Sequence, residues 1–258
     1  MATNENNLIN SVDRALKILD LFSERDTELK LTEIGQQLNL HKSTVHGLLR
    51  TLSHHGYISQ NPENGKYRLG MKLVERSNIA LQAMDIRRVA NPYLREIAHE
   101  LGDTTHLVIL EGDEAVYIDK VEGEKSIIQY SRVGKRAPLY CTAVGKVLVS
   151  HKESEEIKRL AMKQSYEIHT EYTIANPTEF EAEIEKVKKK GYGVDDEEIQ
   201  VGLRCLAVPI YNHAGKIVAS ISISGSSNRV SKESEETVVN YLKEKALQIS
   251  YQLGYKAF

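Results

Sequence analysis

The sequence predicts an α+β chain in two parts: an amino-terminal winged helix-turn-helix and, after a connecting helix, a larger domain of helices interleaved with hairpin-linked strands. Three observations predict it. Residues 32–52 carry apolar side chains at helical spacing on both sides of a turn former, Asn39. Two short alternating segments, 57–60 and 66–69, bracket a loop rich in turn residues. From Thr105 onward the apolar period shortens toward that of strands, with helices set between them.

The first helix is expected over 11–22, where Val12, Ala15, Leu16, Leu19 and Phe22 recur every three or four residues as one apolar stripe. Residues 25–30 are a polar break. A second helix, 32–38, starts at Thr32, whose hydroxyl can cap a free backbone N–H. It ends at Asn39, a residue that tolerates the left-handed conformation. The third helix, 42–54, stops at Gly56. Ile34 and Leu38 face Leu40, Val45 and Leu48, and Gly35 falls where the crossing helices come closest. The segments 57–60 and 66–69 form a hairpin with Asn64-Gly65 at its tip, a pair that accepts positive φ. A further helix over 71–84, apolar at Leu73, Ile79, Ala80, Ala83 and Met84, connects the two parts and offers a face to a second subunit.

Asn91-Pro92 starts or kinks a helix over 92–101 that Gly102 ends. Strands are expected at 106–110, 115–121 and 126–131, and helices at 142–151 and 154–162. Asn176-Pro177-Thr178-Glu179 reads as a capping-box start for a helix ending at Gly191. Strands at 193–195, 206–211 and 216–224 and a long helix at 231–253 complete the chain. The expected domains are 8–70, a linker helix 71–85, and 86–258.

At 258 residues, 41% hydrophobic and 27% charged, the composition is that of a globular protein large enough for two modest domains. There is no apolar run near the ~20 residues that span a bilayer and no basic-then-apolar leader; the cytoplasm is the expected compartment, with no membrane partner. Cys141 and Cys205 are too isolated for a disulfide framework or zinc ribbon. His54 and His55 would point about 100° apart on a helix. No metal and no cofactor are expected. The net charge of −2 argues against a nucleic-acid binder until its distribution is considered. Between Leu38 and Lys72 lie Lys42, Arg50, Lys66, Arg68, Lys72 and four histidines, with Glu63 as the only acid.

That basic segment coincides with the helix-turn-helix, which makes the third helix the candidate recognition helix. Its polar residues Lys42, Ser43, Thr44 and His46 lie at the N-terminus, where free backbone N–H groups favour phosphate. Arg50 follows two turns on, on roughly the same exposed side. In the hairpin, Lys66, Tyr67 and Arg68 place both charges on one side, as a wing lying on a DNA backbone requires. A three-helix bundle with a solvated polar face is the bland alternative. Turn chemistry, wing and local charge together favour DNA.

These residues also carry a resemblance. The runs Ser11-Val12-Asp13-Arg14-Ala15-Leu16-Lys17-Ile18-Leu19, Lys42-Ser43-Thr44-Val45-His46 and Lys66-Tyr67-Arg68-Leu69-Gly70 resemble the IclR family of bacterial regulators. So do 136–146, 202–210 and Ser220-Ile221-Ser222-Ile223-Ser224-Gly225, so the similarity covers nearly the whole chain. It implies a winged helix-turn-helix, a linker helix and a GAF-like effector-binding domain, assembled as homodimers or tetramers. The implied partner is double-stranded, near-palindromic operator DNA, whose symmetry mirrors the protein's. The implied role is a regulator, repressor or activator, expected here to repress a carbon-source catabolic operon; the alternatives are an activator, or a regulator that responds to another small carboxylate. One departure stands out: many relatives carry Arg where this chain has Gly47. Glycine there costs the helix about 1 kcal/mol relative to alanine and removes a charge, so operator preference does not carry over.

The resemblance places an effector pocket at Thr142, Ala143, Val144 and Gly145, with Asp195, Cys205, Ser222 and Ser224. The residue types agree. Thr142 to Gly145 opens a helix whose free N–H groups can hold a carboxylate. Ser222 and Ser224 alternate on a strand and so share a face. Asp195 repels an anion but accepts hydrogen bonds from hydroxyls. Together they suit a hydroxylated organic acid. The stretches 130–136 and 191–198 are similar to the KdgR-like branch, which implies 2-keto-3-deoxygluconate. The structural alternatives are that the serines bond backbone, that Cys205 is a small core residue, and that Lys146 and Arg204 are structural charges. An enzyme using Cys141, Cys205, Ser222 or Ser224 as nucleophile lacks any supporting motif. A cysteine redox sensor and a purely structural DNA-binding scaffold are the other rivals.

Overall fold

The structure, a computed structural model, describes residues 8–23, 25–82, 85–126 and 131–256. It divides into two units, Met1–Ala83 and Met84–Phe258. The first contains α1 (Asn10–Asp20), α2 (Leu31–Leu38), α3 (Lys42–His54), an antiparallel pair β1 (Ile58–Gln60) and β2 (Tyr67–Leu69), and α4 (Lys72–Gln82). Ala83 and Met84 of the expected linker lie outside the described residues. The unit closes on a small core of Ile18, Leu29, Ile34, Val45, Leu49, Ile58 and Tyr67.

Four local expectations change here. On α1 the fully buried residue is Ile18, whereas Val12 and Leu16 are more than half exposed. The apolar band on this helix spans about 160°, and so small a core covers only its Ile18 side. The second helix begins at Leu31 because Glu33 reaches back to accept the Lys30 N–H at 2.7 Å, which puts Thr32 inside the helix. Leu49, a residue the sequence left aside, shares the buried face of α3 with Val45. In the hairpin only Gly65 takes a positive φ, 69°. Asn64 instead accepts the Lys66 N–H and donates to Glu28, so the loop is held by side chains across 61–66. Asn39 does take the left-handed conformation, φ 51°, and Leu40 N–H closes onto Gly35 O at 2.9 Å.

The second unit contains α5 (Asp85–Leu101), β3 (Thr104–Glu111), β4 (Glu114–Val121), β5 (Arg136–Ala137), α6 (Ala143–Val149), α7 (Ser154–Lys163), α8 (Pro177–Lys190), β6 (Gly193–Asp196), β7 (Leu203–Tyr211), β8 (Ile217–Ser226) and α9 (Glu235–Gln252). The strands form one antiparallel sheet in the order β5-β4-β3-β8-β7-β6. Alternation along each strand gives the sheet two apolar faces. Leu206, Val208, Ile221 and Ile223 pack with Leu94 and Ile97 of α5 and Leu242 and Ile249 of α9. Val108, Cys205 and Ala207 pack toward α6, α7 and α8.

The capping residues read from the sequence act locally. Thr142 Oγ1 accepts the Gly145 N–H at 3.2 Å, Asn176 accepts the Glu179 N–H at 3.0 Å, and Gly191 ends α8 at φ 72°. Helix α5, however, starts at Asp85 and runs through Pro92. Ile86 and Val89 join the same core as Ala90 and Leu94, and that burial outweighs the one hydrogen bond Pro92 cannot donate. Helix α9 starts at Glu235, after a turn in which Ser231 and Ser234 bond each other's backbone N–H. Ser126 and Ser131 are not in strands, and 127–130 of that expected strand lie outside the described residues.

Candidate functional site

In the first unit, α2 and α3 cross where an added Cβ on Gly35 would lie 3.2 Å from Leu40 O and 3.7 Å from Val45 Cγ2. The crossing turns Val45 and Leu49 inward, so Lys42, Ser43, His46 and Arg50 project outward, with Thr44 half-buried. The first helical turn has no side-chain cap, which leaves its leading amides open to an anion. Gly47 lies on this outward face with nothing within 4 Å of a built Cβ. In the wing, Arg68 is exposed and its Nε donates to Ser59 Oγ at 3.2 Å, while Lys66 is half-buried. Tyr67 is a correction. It is 9% exposed, belongs to the core, and bridges to Leu29 through a pair of backbone hydrogen bonds of 2.8 and 2.9 Å. Strand alternation that turns Arg68 outward turns Tyr67 inward, into the core.

In the second unit the sheet register assembles the other candidate residues. Asp195 pairs with Cys205, Cys205 with Ser224, and Ser224 with Thr104, one rung across four strands. The adjacent rung on the same face runs Gly193, Ala207, Ser222, His106, Lys120. The small residues matter: a Cβ on Gly193 would lie 2.4 Å from Ala143 O, so the start of α6 rests on the sheet beside these rungs. Thus Ala143 and Val144, Asp195, Cys205, and Ser222 with Ser224 share one buried region. A cavity of about 260 Å³ adjoins it, lined by Tyr117, Lys135, Arg136, Ala137, Pro138, Thr142, His169, Ile199 and Gln200. Of the eight expected pocket residues only Thr142 reaches its wall; the other seven are outside its lining.

The electrostatics are unusual for an interior. Asp195 Oδ1 accepts N–H groups from Glu198 at 2.8 Å and Ile199 at 3.4 Å, while Oδ2 is buried with no partner among the described residues. Burial pushes its pKa up to about 7, with Glu198 adding and Lys146 opposing. Lys146, fully buried, donates to Val194 O at 2.7 Å and to the Glu198 carboxylate, whose Oε2 is also unpartnered. Two carboxylates against one ammonium leave a site that favours hydrogen-bond donors.

Sequence reasoning passed over several members. Lys146 stood only as a structural charge, and Thr104, His106, Lys120 and Glu198 were not singled out. The four consecutive acids 195–198 read as one stretch, yet each does something different. Asp195 and Glu198 face inward, Asp196 pairs with Arg204 at 2.9 Å, and Glu197 accepts the Gly202 N–H at 2.6 Å. Arg204 itself is 3% exposed and also bonds Val230 O, Ser231 O and Glu235, a structural clamp. Among the described residues no cluster has a metal-binding arrangement, and no helix is long and apolar enough to cross a membrane.

Comparison with known proteins accounts for both units. Residues 11–62 match the IclR helix-turn-helix domain, and residues 78–251 match the bacterial transcriptional regulator IclR C-terminal family. The chain is 45% identical to the HTH-type transcriptional regulator XynR of Escherichia coli over 250 residues, 97% of this chain and 99% of that one. It is 38% identical to the E. coli regulator KdgR, covering 96% and 94%. Among solved structures, the Thermotoga maritima IclR superposes with a TM-score of 0.77 at 36% identity, covering 96% of this chain and all of that one.

Proposed function

The chain belongs to the IclR family of bacterial transcriptional regulators and is not an enzyme; from that premise we propose that it is a repressor of a carbon-source catabolic operon whose operator binding responds to a small hydroxylated acid such as 2-keto-3-deoxygluconate. A homodimer or tetramer places two recognition helices on a near-palindromic operator. Lys42, Ser43, Thr44, His46 and Arg50 face the groove, and Lys66 and Arg68 lie on the backbone. The effector sits where α6 meets the sheet, its carboxylate at the Ala143 and Val144 amides and its hydroxyls at Asp195, Cys205, Ser222 and Ser224.

The observation that carries the effector reading is the unpartnered Oδ2 of Asp195, a buried polar atom aligned on one rung with Cys205 and Ser224. A ligand hydroxyl supplies the hydrogen bond it lacks. Similarity to KdgR over nearly the whole chain agrees with the KdgR-like stretches at 130–136 and 191–198.

Calorimetry of the full chain with 2-keto-3-deoxygluconate, pyruvate and 4-hydroxybenzoate tests it. Heat is expected from the sugar acid and is lost in Asp195→Asn; no heat from the sugar acid removes this effector. Footprinting upstream of the genes beside its own, with and without the acid, tests the operator. A redox sensor is disfavoured. Burial first, then Asp195 and Glu198, push the Cys141 thiol up to about 12, which keeps it protonated and unreactive at neutral pH.

A further inference from the structure

Three charged groups are buried together where α6 rests on β6. Lys146 faces two carboxylates, Asp195 and Glu198, and its ammonium acts on both. Asp195 Oδ2 and Glu198 Oε2 are buried with no partner among the described residues. The cluster is one positive charge short. Burial raises both carboxyl groups, but Lys146 donates directly to Glu198, which leaves Asp195 as the seat of a proton. Its Oδ1 already accepts the Glu198 and Ile199 N–H groups, so the proton belongs on Oδ2.

The groups packed around Asp195 do not restore the balance. Cys205 pairs with it from β7, and Ser222 and Ser224 of β8 carry no charge. Ahead of α6, burial and the two acids keep the Cys141 thiol neutral. From α8, Glu183 adds negative charge toward Glu198, and Lys186, paired with Glu183 at 2.9 Å, is exposed. Along the adjacent rung, burial keeps His106 neutral and Lys120 pairs with Glu122 at 2.7 Å. His169, Lys135 and Arg136 stand on the cavity wall, where Arg136 pairs with Glu111 and Glu114.

An organic acid is an anion at neutral pH, and bound at the start of α6 it would add a second unmatched negative charge to this interior. A negative charge about 8 Å from Asp195, at an effective dielectric near 20, tightens the hold on its proton roughly thirtyfold. We propose that the effector acid and a proton from solvent bind together: the anion enters at α6, and Asp195 takes the proton on Oδ2 and donates it in a hydrogen bond to a ligand oxygen. The chain then responds to a given concentration of acid more strongly as pH falls. This rests on the effector site proposed above and adds the charge state in which that site is filled.

Calorimetry of the full chain with 2-keto-3-deoxygluconate, in buffers of different ionisation enthalpy, counts the protons taken up. The free Asp195 carboxyl is half-protonated at about pH 7, so uptake is expected to exceed about half a proton at pH 8 and to fall below about 0.2 at pH 6. Affinity is expected to be about fivefold or more tighter at pH 6 than at pH 8. Glu198→Gln removes one carboxylate and leaves Lys146 an acceptor, so its uptake at pH 8 is expected below about 0.2 proton. Wild-type uptake in that variant overturns the proposal. If the variant does not fold, the carboxyl 13C signal of Asp195, assigned by its loss in ligand-free Asp195→Asn, decides. At pH 8 it is expected to be ionised without the acid and protonated with it, and an ionised carboxyl in the complex overturns the proposal. Heat at pH 8 without proton uptake overturns the proton and leaves the effector site standing. No heat from the acid even at pH 6 overturns both.

Discussion

Two glycine-to-alanine substitutions in the first unit should act in opposite directions. Gly70 follows the wing and has no positive φ; proximity alone demands glycine there. A Cβ would lie 2.1 Å from Gly56 O and 2.9 Å from the carbonyl carbons of Gly56 and Tyr57, all of them backbone. Relieving that overlap means parting the strands by about 1 Å. Gly70 N–H bonds Tyr57 O at 2.8 Å, and Lys72 N–H bonds Gly56 O at 3.2 Å; neither survives such a separation. Two lost hydrogen bonds at about 1 kcal/mol each, plus about 1 kcal/mol for a buried carbonyl left unpaired, total about 3 kcal/mol for Gly70→Ala. Gly47 sits in an open stretch of α3, so Gly47→Ala gains about 1 kcal/mol of helix propensity. Native-state hydrogen exchange on the full chain reads both. The Leu48 and Leu49 amides should exchange about fivefold more slowly in Gly47→Ala and more than about a hundredfold faster in Gly70→Ala. Exchange in Gly70→Ala within about twofold of wild type would refute the steric argument.

Other substitutions test the remaining structure. Arg204→Lys should cost about 2–4 kcal/mol of unfolding free energy by denaturant titration, because one ammonium cannot replace a guanidinium that holds Asp196, Glu235 and two carbonyls; a loss under about 0.5 kcal/mol contradicts the clamp. Asp195 is held at about 7 against an ordinary 3.8, so the folded chain keeps a proton that the unfolded chain releases. Its contribution to stability is full below about pH 4 and declines as pH rises through about 7; Asp195→Asn should flatten that decline, and a wild-type chain already flat between about pH 5 and 8 counts against it. Arg68→Ala should weaken operator binding and reduce the slope of log affinity against log salt by about one; an unchanged slope removes Arg68 from the phosphate contacts.

Much of the local structure around the candidate sites was legible because its signals are local. Helix α3 shows in apolar spacing around Asn39. The serines of β8 show as the alternate partners of Ile221 and Ile223, and Thr142, Asn176 and Gly191 act as caps in place. Tyr67 was misread because charged neighbours on a two-residue period mark a face without saying which face the core takes. The stripe on α1 failed for the same reason, since its apolar band is wider than the core it meets.

By itself the chain determined its elements and their amphipathic faces, because helix turns, caps and strand alternation are settled among residues a few positions apart. Tertiary structure alone decided the strand register, and with it the rungs that bring Asp195, Cys205, Ser224 and Thr104 into one line and His106 beside Ser222. The β6-β7 and β7-β8 pairings join near neighbours in the chain, but the β3-β8 pairing that brings Thr104 and His106 to this line joins strands more than a hundred residues apart, and no short window along the chain contains both partners. The same holds for charge. That Lys146 is buried against Glu198, and that Asp195 is left with an unsatisfied oxygen, follows from how much protein surrounds each group after folding.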